Sequence, residues 1–196
     1  MKSRYIPVLA LALLMVTAMT SCNQPTKPEN STNIATEANN KNFDTARGEQ
    51  AAEFIVNAVS RNYAEIKIAK LALSQSTNED VKKIAQLLKK DHEQSLAELK
   101  GYATKKGIII PLEETIRAEK DIENLSEKRV ENFDKKWCSM MVTKHEKSIE
   151  ELEDRFNKTE DPELKAWIMT TLPQLKGQLA MLEQHEQVMR ETSKSK

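Results

Sequence analysis

Residues 78–107, NEDVKKIAQLLKKDHEQSLAELKGYATKKG, constrain the fold more than any other stretch. Val81, Ile84, Ala85, Leu88, Ser95, Leu96, Leu99 and Tyr102 recur three or four apart, the period of a helix with one buried face. His92 falls on that same face, four residues after Leu88 and three before Ser95. Asn78 is placed to cap the helix start, Glu79 and Asp80 suit its positive end, and Gly107 stops it. A titratable ring thus sits inside an apolar stripe, and burying it requires a partner.

Three further patterns repeat the design. Residues 44–74 carry a face of Ala51, Phe54, Ile55, Ala58, Val59, Asn62, Ile66, Ala69, Ala72 and Leu73. Residues 126–157 carry Phe133, Trp137, Met140, Met141, Ile149, Leu152 and Phe156. The last pattern opens at Asp161-Pro162, a cap followed by proline at the first helical position. Its face includes Leu164, Trp167, Ile168, Leu172, Leu175, Leu179, Leu182 and Met189, and Pro173 inside it is expected to bend the helix. Four such helices predict an all-α four-helix bundle over residues 44–192. Loops at 75–77 and 158–160 are short enough to force two antiparallel pairs. The connection 108–125, with a short helix expected near 113–124, is either a local loop or a crossover running the length of the bundle.

Composition agrees with helices rather than sheets, with 31% charged residues, 5% aromatics, four Gly and six Pro. Thirty basic residues balance thirty acidic ones. That balance argues against a nucleic-acid partner, which would need a basic surface.

The N-terminus predicts export. Lys2 and Arg4 precede an apolar run from Ile6 to Met19, a length suited to a signal sequence and short for a membrane span. The run ends at Thr20-Ser21-Cys22, which resembles the bacterial lipoprotein signal. That resemblance implies a signal peptide over 1–21, lipidation of Cys22, and membrane attachment facing the periplasm. Residues 22–43, rich in Asn, Thr and Pro, are expected to be a disordered tether.

Each long helix carries one polar side chain near its middle: Glu65, His92, His145 and Gln178, with Asp91 and Glu146 beside the two histidines. At 1.5 Å rise per residue these levels coincide within about two turns, so one polar layer is expected. Its members either satisfy one another or hold a single divalent metal such as iron, zinc or manganese, with Glu65, His92 and His145 as ligands and Asp91, Glu146 and Gln178 in support. A ferritin-type di-iron site uses Glu-x-x-His on two helices. Lys89, Val142 and Leu182 stand three residues before His92, His145 and His185, so that motif is absent.

The run from Ala64 to Pro111, with FDKKWCSMMVTKHEKSIEELEDRF and DPELKAWIMTTLPQL, resembles the exported bacterial family called domain of unknown function 4142. The likeness covers residues 49–187 and rests on Asp91-His92 with Leu96 and Leu99, Gly107 through Pro111, Phe133-Asp134, His145-Glu146 and Leu172-Pro173. It implies a ferritin-like bundle in the cell envelope, with no established biochemical role. It also implies a histidine in many relatives where this chain has Gln178.

Cys138 is the one thiol left once Cys22 is lipidated, so no intramolecular disulfide is expected, and beside Trp137 it reads as a packed side chain. His185 is expected at the bundle end, and the methionines at helical spacing read as core filler. There is no nucleophile-bearing turn and no glycine-rich phosphate loop. The sequence therefore favours a non-enzymatic binding or structural module, with a metal-handling or stress-protective protein as the alternative. A protein partner or a second copy of the chain stays open. Replacing Cys22 with Ser is expected to block lipidation and release the protein from the membrane fraction. Uptake of labelled fatty acid by that variant would refute the anchor.

Overall fold

The structure is a computed structural model that describes residues 30–194. The signal segment 1–21, Cys22 and the first part of the expected tether lie outside the described residues. Among the described residues there are six helices and no strand: α1 (Ser31–Asn42), α2 (Ala46–Gln75), α3 (Glu79–Lys106), α4 (Ile116–Ser126), α5 (Val130–Lys158) and α6 (Pro162–Lys194). None of these helices is long and apolar enough to cross a membrane.

The local signals act as expected. The Asn78 side chain accepts from the Asp80 and Val81 amides, and Asp161 accepts from those of Glu163 and Leu164. Gly107 adopts φ 67°, a left-handed cap that lets the Ile108 amide reach back to the Ala103 carbonyl at 2.9 Å. Pro173 lies inside α6, which continues past it as helix.

The α2–α3 and α5–α6 turns make antiparallel pairs, and α2 also packs on α5 while α3 packs on α6. The connection between the pairs decides how they are joined. Leaving α3, it meets α1 at Ile109 and then climbs along α2. Ser60 Oγ donates to the Glu113 carbonyl, Lys67 pairs with Glu114, and Gln75 Nε2 donates to the Ser126 carbonyl at 3.0 Å. This is a crossover from one end of α2 to the other, with α4 as its second half. It starts α5 at the end where α3 starts, so those two helices run parallel and the order is up, down, down, up.

The core has two apolar halves. One gathers Ile55, Val59, Leu99, Leu152, Leu164 and Ile168, and the other gathers Ile68, Leu88, Phe133, Trp137, Met141 and Leu182. Trp137 is fully buried and its indole N–H donates to the Ile68 carbonyl at 3.1 Å. That bond satisfies the one polar atom of the largest core side chain.

The disordered tether expected over 22–43 is corrected from residue 31 onward, where α1 is a helix packed on α2. Its one large apolar residue, Ile34, is exposed, and small residues let it approach closely instead. Ala35 is buried, and Thr32 Oγ1 lies 3.3 Å from Ser60 Oγ. Asn39, 1% exposed, makes the decisive contact. Its Nδ2 donates to the Ile109 carbonyl at 2.7 Å and its Oδ1 accepts the Ile109 amide at 2.8 Å. A two-point bond of this kind mimics a strand pairing and pins α1 to the crossover. Asn39→Ala leaves both Ile109 groups unpaired and is expected to cost about 1–3 kcal/mol. Amide exchange should accelerate across α1 well before α2; equal acceleration in both helices would show that α1 is held by other contacts.

Candidate metal centre

Between the two apolar halves lies the polar layer. Glu65 of α2, His92 of α3 and His145 of α5 are 2%, 6% and 0% exposed. One ligand atom from each lies within 4.8 Å of the other two. His92 Nε2 stands 2.8 Å from Glu65 Oε2, and His145 Nδ1 stands 3.9 Å from the same oxygen. The two imidazoles meet edge to face, with centroids 5.6 Å apart. Gln178 of α6, also buried, closes the layer: its Oε1 lies 3.1 Å from His145 Nε2 and its Nε2 donates to Asp91 Oδ2 at 2.8 Å. All four long helices therefore supply at least one member.

The structure brings Glu65, His92, His145, Gln178 and Asp91, all expected at one level, together in one layer. Glu146 is the exception: it is exposed, because one residue past His145 the helix has turned about 100° away from the core. Asn62 was read as part of the apolar face of α2, and it is a polar member of the layer. Its Oδ1 lies 3.1 Å from His92 Nδ1, and its Nδ2 donates to the Ala58 carbonyl. The available signal was its position one turn before Glu65 on the buried face.

The hydrogen-bond directions define a proton problem. Asn62 must aim its amide at the Ala58 carbonyl, so it offers His92 Nδ1 an acceptor. Gln178 must aim its amide at the Asp91 carboxylate, so it offers His145 Nε2 an acceptor as well. The remaining ring nitrogens face the Glu65 carboxylate and, at 2.9 Å, the Met141 carbonyl. Four ring nitrogens thus face four acceptors. Satisfying every contact with protons would make both imidazoles cations, side by side and out of water. Burial opposes that. It pushes the His145 pKa down, against the Glu65 charge, and the charge of His92 pushes it further the same way. Burial also pushes the Glu65 carboxyl up, but the charge and hydrogen bond of His92, with the charges of His145 and Lys144, outweigh it and hold the carboxyl at about 2. The layer has one firm anion and fewer protons than its acceptors require.

Beside it is a cavity of about 40 Å³, bordered by Glu65, His92, Asn62, Ser148 and Thr171. That is room for one water or one ion. Such a donor set, two imidazoles and a carboxylate, suits a single divalent transition-metal ion. His92 presents Nε2 with its other nitrogen already held by Asn62, the usual support of a ligating histidine. His145 would have to exchange its bond to Gln178 or to Met141 for the metal.

The sequence pattern of the family described as Domain of unknown function (DUF4142) matches residues 35–185. The chain belongs to this family. Its match begins within α1, so the helix packed on α2 is part of the family's extent. No curated protein matches the chain. Among solved structures, a DUF305 fragment from Deinococcus radiodurans is similar, with TM-score 0.63 and 15% identity, covering 72% of this chain and 96% of that one. CopM in the Cu(II)-bound form is similar with TM-score 0.61 and 19% identity, covering 70% of this chain and 96% of its own. At these identities the likeness is one of fold, a related helical domain.

The pKa shifts set the acid response. Glu65 is depressed from 4.5 to about 2 in the folded state. Its contribution is therefore complete above 4.5 and lost as pH falls toward 2. The lowered His145 value acts in the same direction, since an unfolded chain takes up that proton more readily below 6.5. The free energy of unfolding is expected to fall on acidification, and Glu65→Gln, though less stable at neutral pH, should lose less between pH 4.5 and 2. Urea titrations at several pH values test this, and equal slopes in both proteins would refute the assignment.

Proposed function

We infer that this DUF4142 protein is a non-enzymatic binding module of the cell envelope whose polar layer takes one divalent transition-metal ion. In this reading Cys22 carries the lipid anchor, the domain faces the periplasm, and the four long helices form a bundle of ferritin-like type. Glu65, His92 and His145 are the ligands, while Asn62, Gln178 and Asp91 orient them. The observation that carries the reading is the shortage of protons: a cation between His92 Nε2 and Glu65 Oε2 satisfies both without charging a second buried imidazole. The Cu(II)-bound form of CopM, a similar fold, adds copper to the iron, zinc and manganese that the donor types suggest.

A second reading has its own observation. Both nitrogens of His145 already have partners, as a purely structural layer requires. There each histidine serves its own acceptors, His92 those of Glu65 and Asn62 and His145 those of Gln178 and Met141, so His92→Leu with His145→Leu leaves more orphans and costs more than either change alone.

Equilibrium dialysis with elemental analysis, and melting curves with Cu(II), Zn(II), Fe(II) and Mn(II), separate the two. Metal binding predicts about one equivalent of the preferred ion and a melting temperature that climbs with its free concentration. Both effects should be lost in Glu65→Gln and His92→Asn. Affinity should fall from pH 7 to pH 5, because the ligands bind deprotonated. A wild-type melting temperature indifferent to all four ions would overturn the metal reading.

A further inference from the structure

At the end of the helices where α3 and α5 begin and α6 approaches its C-terminus lies a second cavity, of about 500 Å³. Met181, His185 and Met189 line it from α6, each four residues from the next and so on one helical face. Asp134 of α5 lines it as well. His185 Nε2 and Asp134 Oδ1 are shut off from solvent, and neither has a hydrogen-bond partner. Two orphaned polar atoms, each able to offer a lone pair, on the walls of one cavity are costly unless something positive meets them. A proton would answer the nitrogen and the oxygen but would have no use for two thioethers.

We propose that Met181, His185 and Met189, with Asp134 beside them, form a second metal site that takes a soft monovalent cation, Cu(I) being the biological one. Thioether and imidazole together select Cu(I) over harder divalent ions. The methionines suit this role by position. Met141 is fully buried in the core, whereas Met181 and Met189, packed at the edge of the same apolar half, are only half-buried and border the cavity. The local charge permits a cation, since Asp80 and Asp134 outnumber Lys135 on the cavity wall. The site is separate from the polar layer: His185 lies seven residues past Gln178, about 10 Å further along α6. Cys138, one turn after Asp134, is not a ligand in this arrangement. Its Sγ donates to the Leu182 carbonyl, and burial pushes its pKa up to about 12, which keeps the thiol protonated.

The test uses the protein with Cys22→Ala and Cys138→Ala, so that thiols do not compete. Cu(I) is presented anaerobically as its bicinchoninate complex, and Ag(I) serves as a redox-inert probe of the methionine methyl resonances. One Cu(I) is expected to leave the chelator, and Ag(I) should shift the Met181 and Met189 methyl signals but not that of Met141. Met181→Leu with Met189→Leu keeps volume and fold and should weaken Cu(I) binding at least tenfold, as should His185→Asn. His92→Asn should leave it unchanged, so this site and the polar layer stand or fall separately. Cu(I) uptake indifferent to Met181, Met189 and His185 would overturn the proposal, as would no uptake, or Zn(II) held there as tightly as Cu(I).

Discussion

The contact between Glu65 and His92, 2.8 Å long and cut off from water, is the constraint around which the rest is arranged. A carboxylate in this position survives only with positive charge beside it. That requirement brings α2, α3 and α5 to one level and makes α6 contribute Gln178 to complete the ring of partners. The layer divides an otherwise apolar interior into two halves. Each half packs well enough to hold the polar groups where they are: Trp137 and Phe133 on one side, Ile55 and Leu164 on the other, are all essentially unexposed.

The arrangement is not the one that stability alone would favour. Apolar side chains of similar volume at 65, 92 and 145 would stabilise the same helices without any desolvated charge. The Asn62 and Gln178 amides are each fixed by a second bond, so neither can rotate to relieve the acceptor it presents. A layer that is short of protons by construction favours a cation. The cavity at the far end of α6 repeats the logic with different donors, a ring nitrogen and a carboxylate without partners among thioethers. On the proposed readings one helix serves two sites of different softness.

Much of this was legible because a helix converts spacing into direction. His92, four after Leu88, has to share its face, and the same holds for Glu65 and His145. Asn78, Gly107 and Asp161 marked helix ends through interactions local to a few residues, and the ends fell there. The errors share a cause. Glu146 was grouped with His145 by adjacency, although adjacent helical residues diverge. Asn62 was read as one more member of a stripe, because its role depends on a ring thirty residues away. Residues 31–42 were read as tether because they hold almost no large apolar group, yet Asn39 binds a backbone amide and carbonyl seventy residues on.

What the sequence determined by itself was therefore what depends on neighbours in the chain: the long helices, their caps, and the faces that must be buried, since propensity, capping and amphipathic period act within a few turns. What only the tertiary structure decided was everything set by long-range pairing. The crossover became visible only when Ser60, Lys67 and Gln75 met the connection in order along α2. The docking of α1, and which nitrogen of each imidazole faces which acceptor, were settled the same way. These choices follow from two or three hydrogen bonds between residues remote in sequence, and no periodicity encodes the partner of a single polar atom.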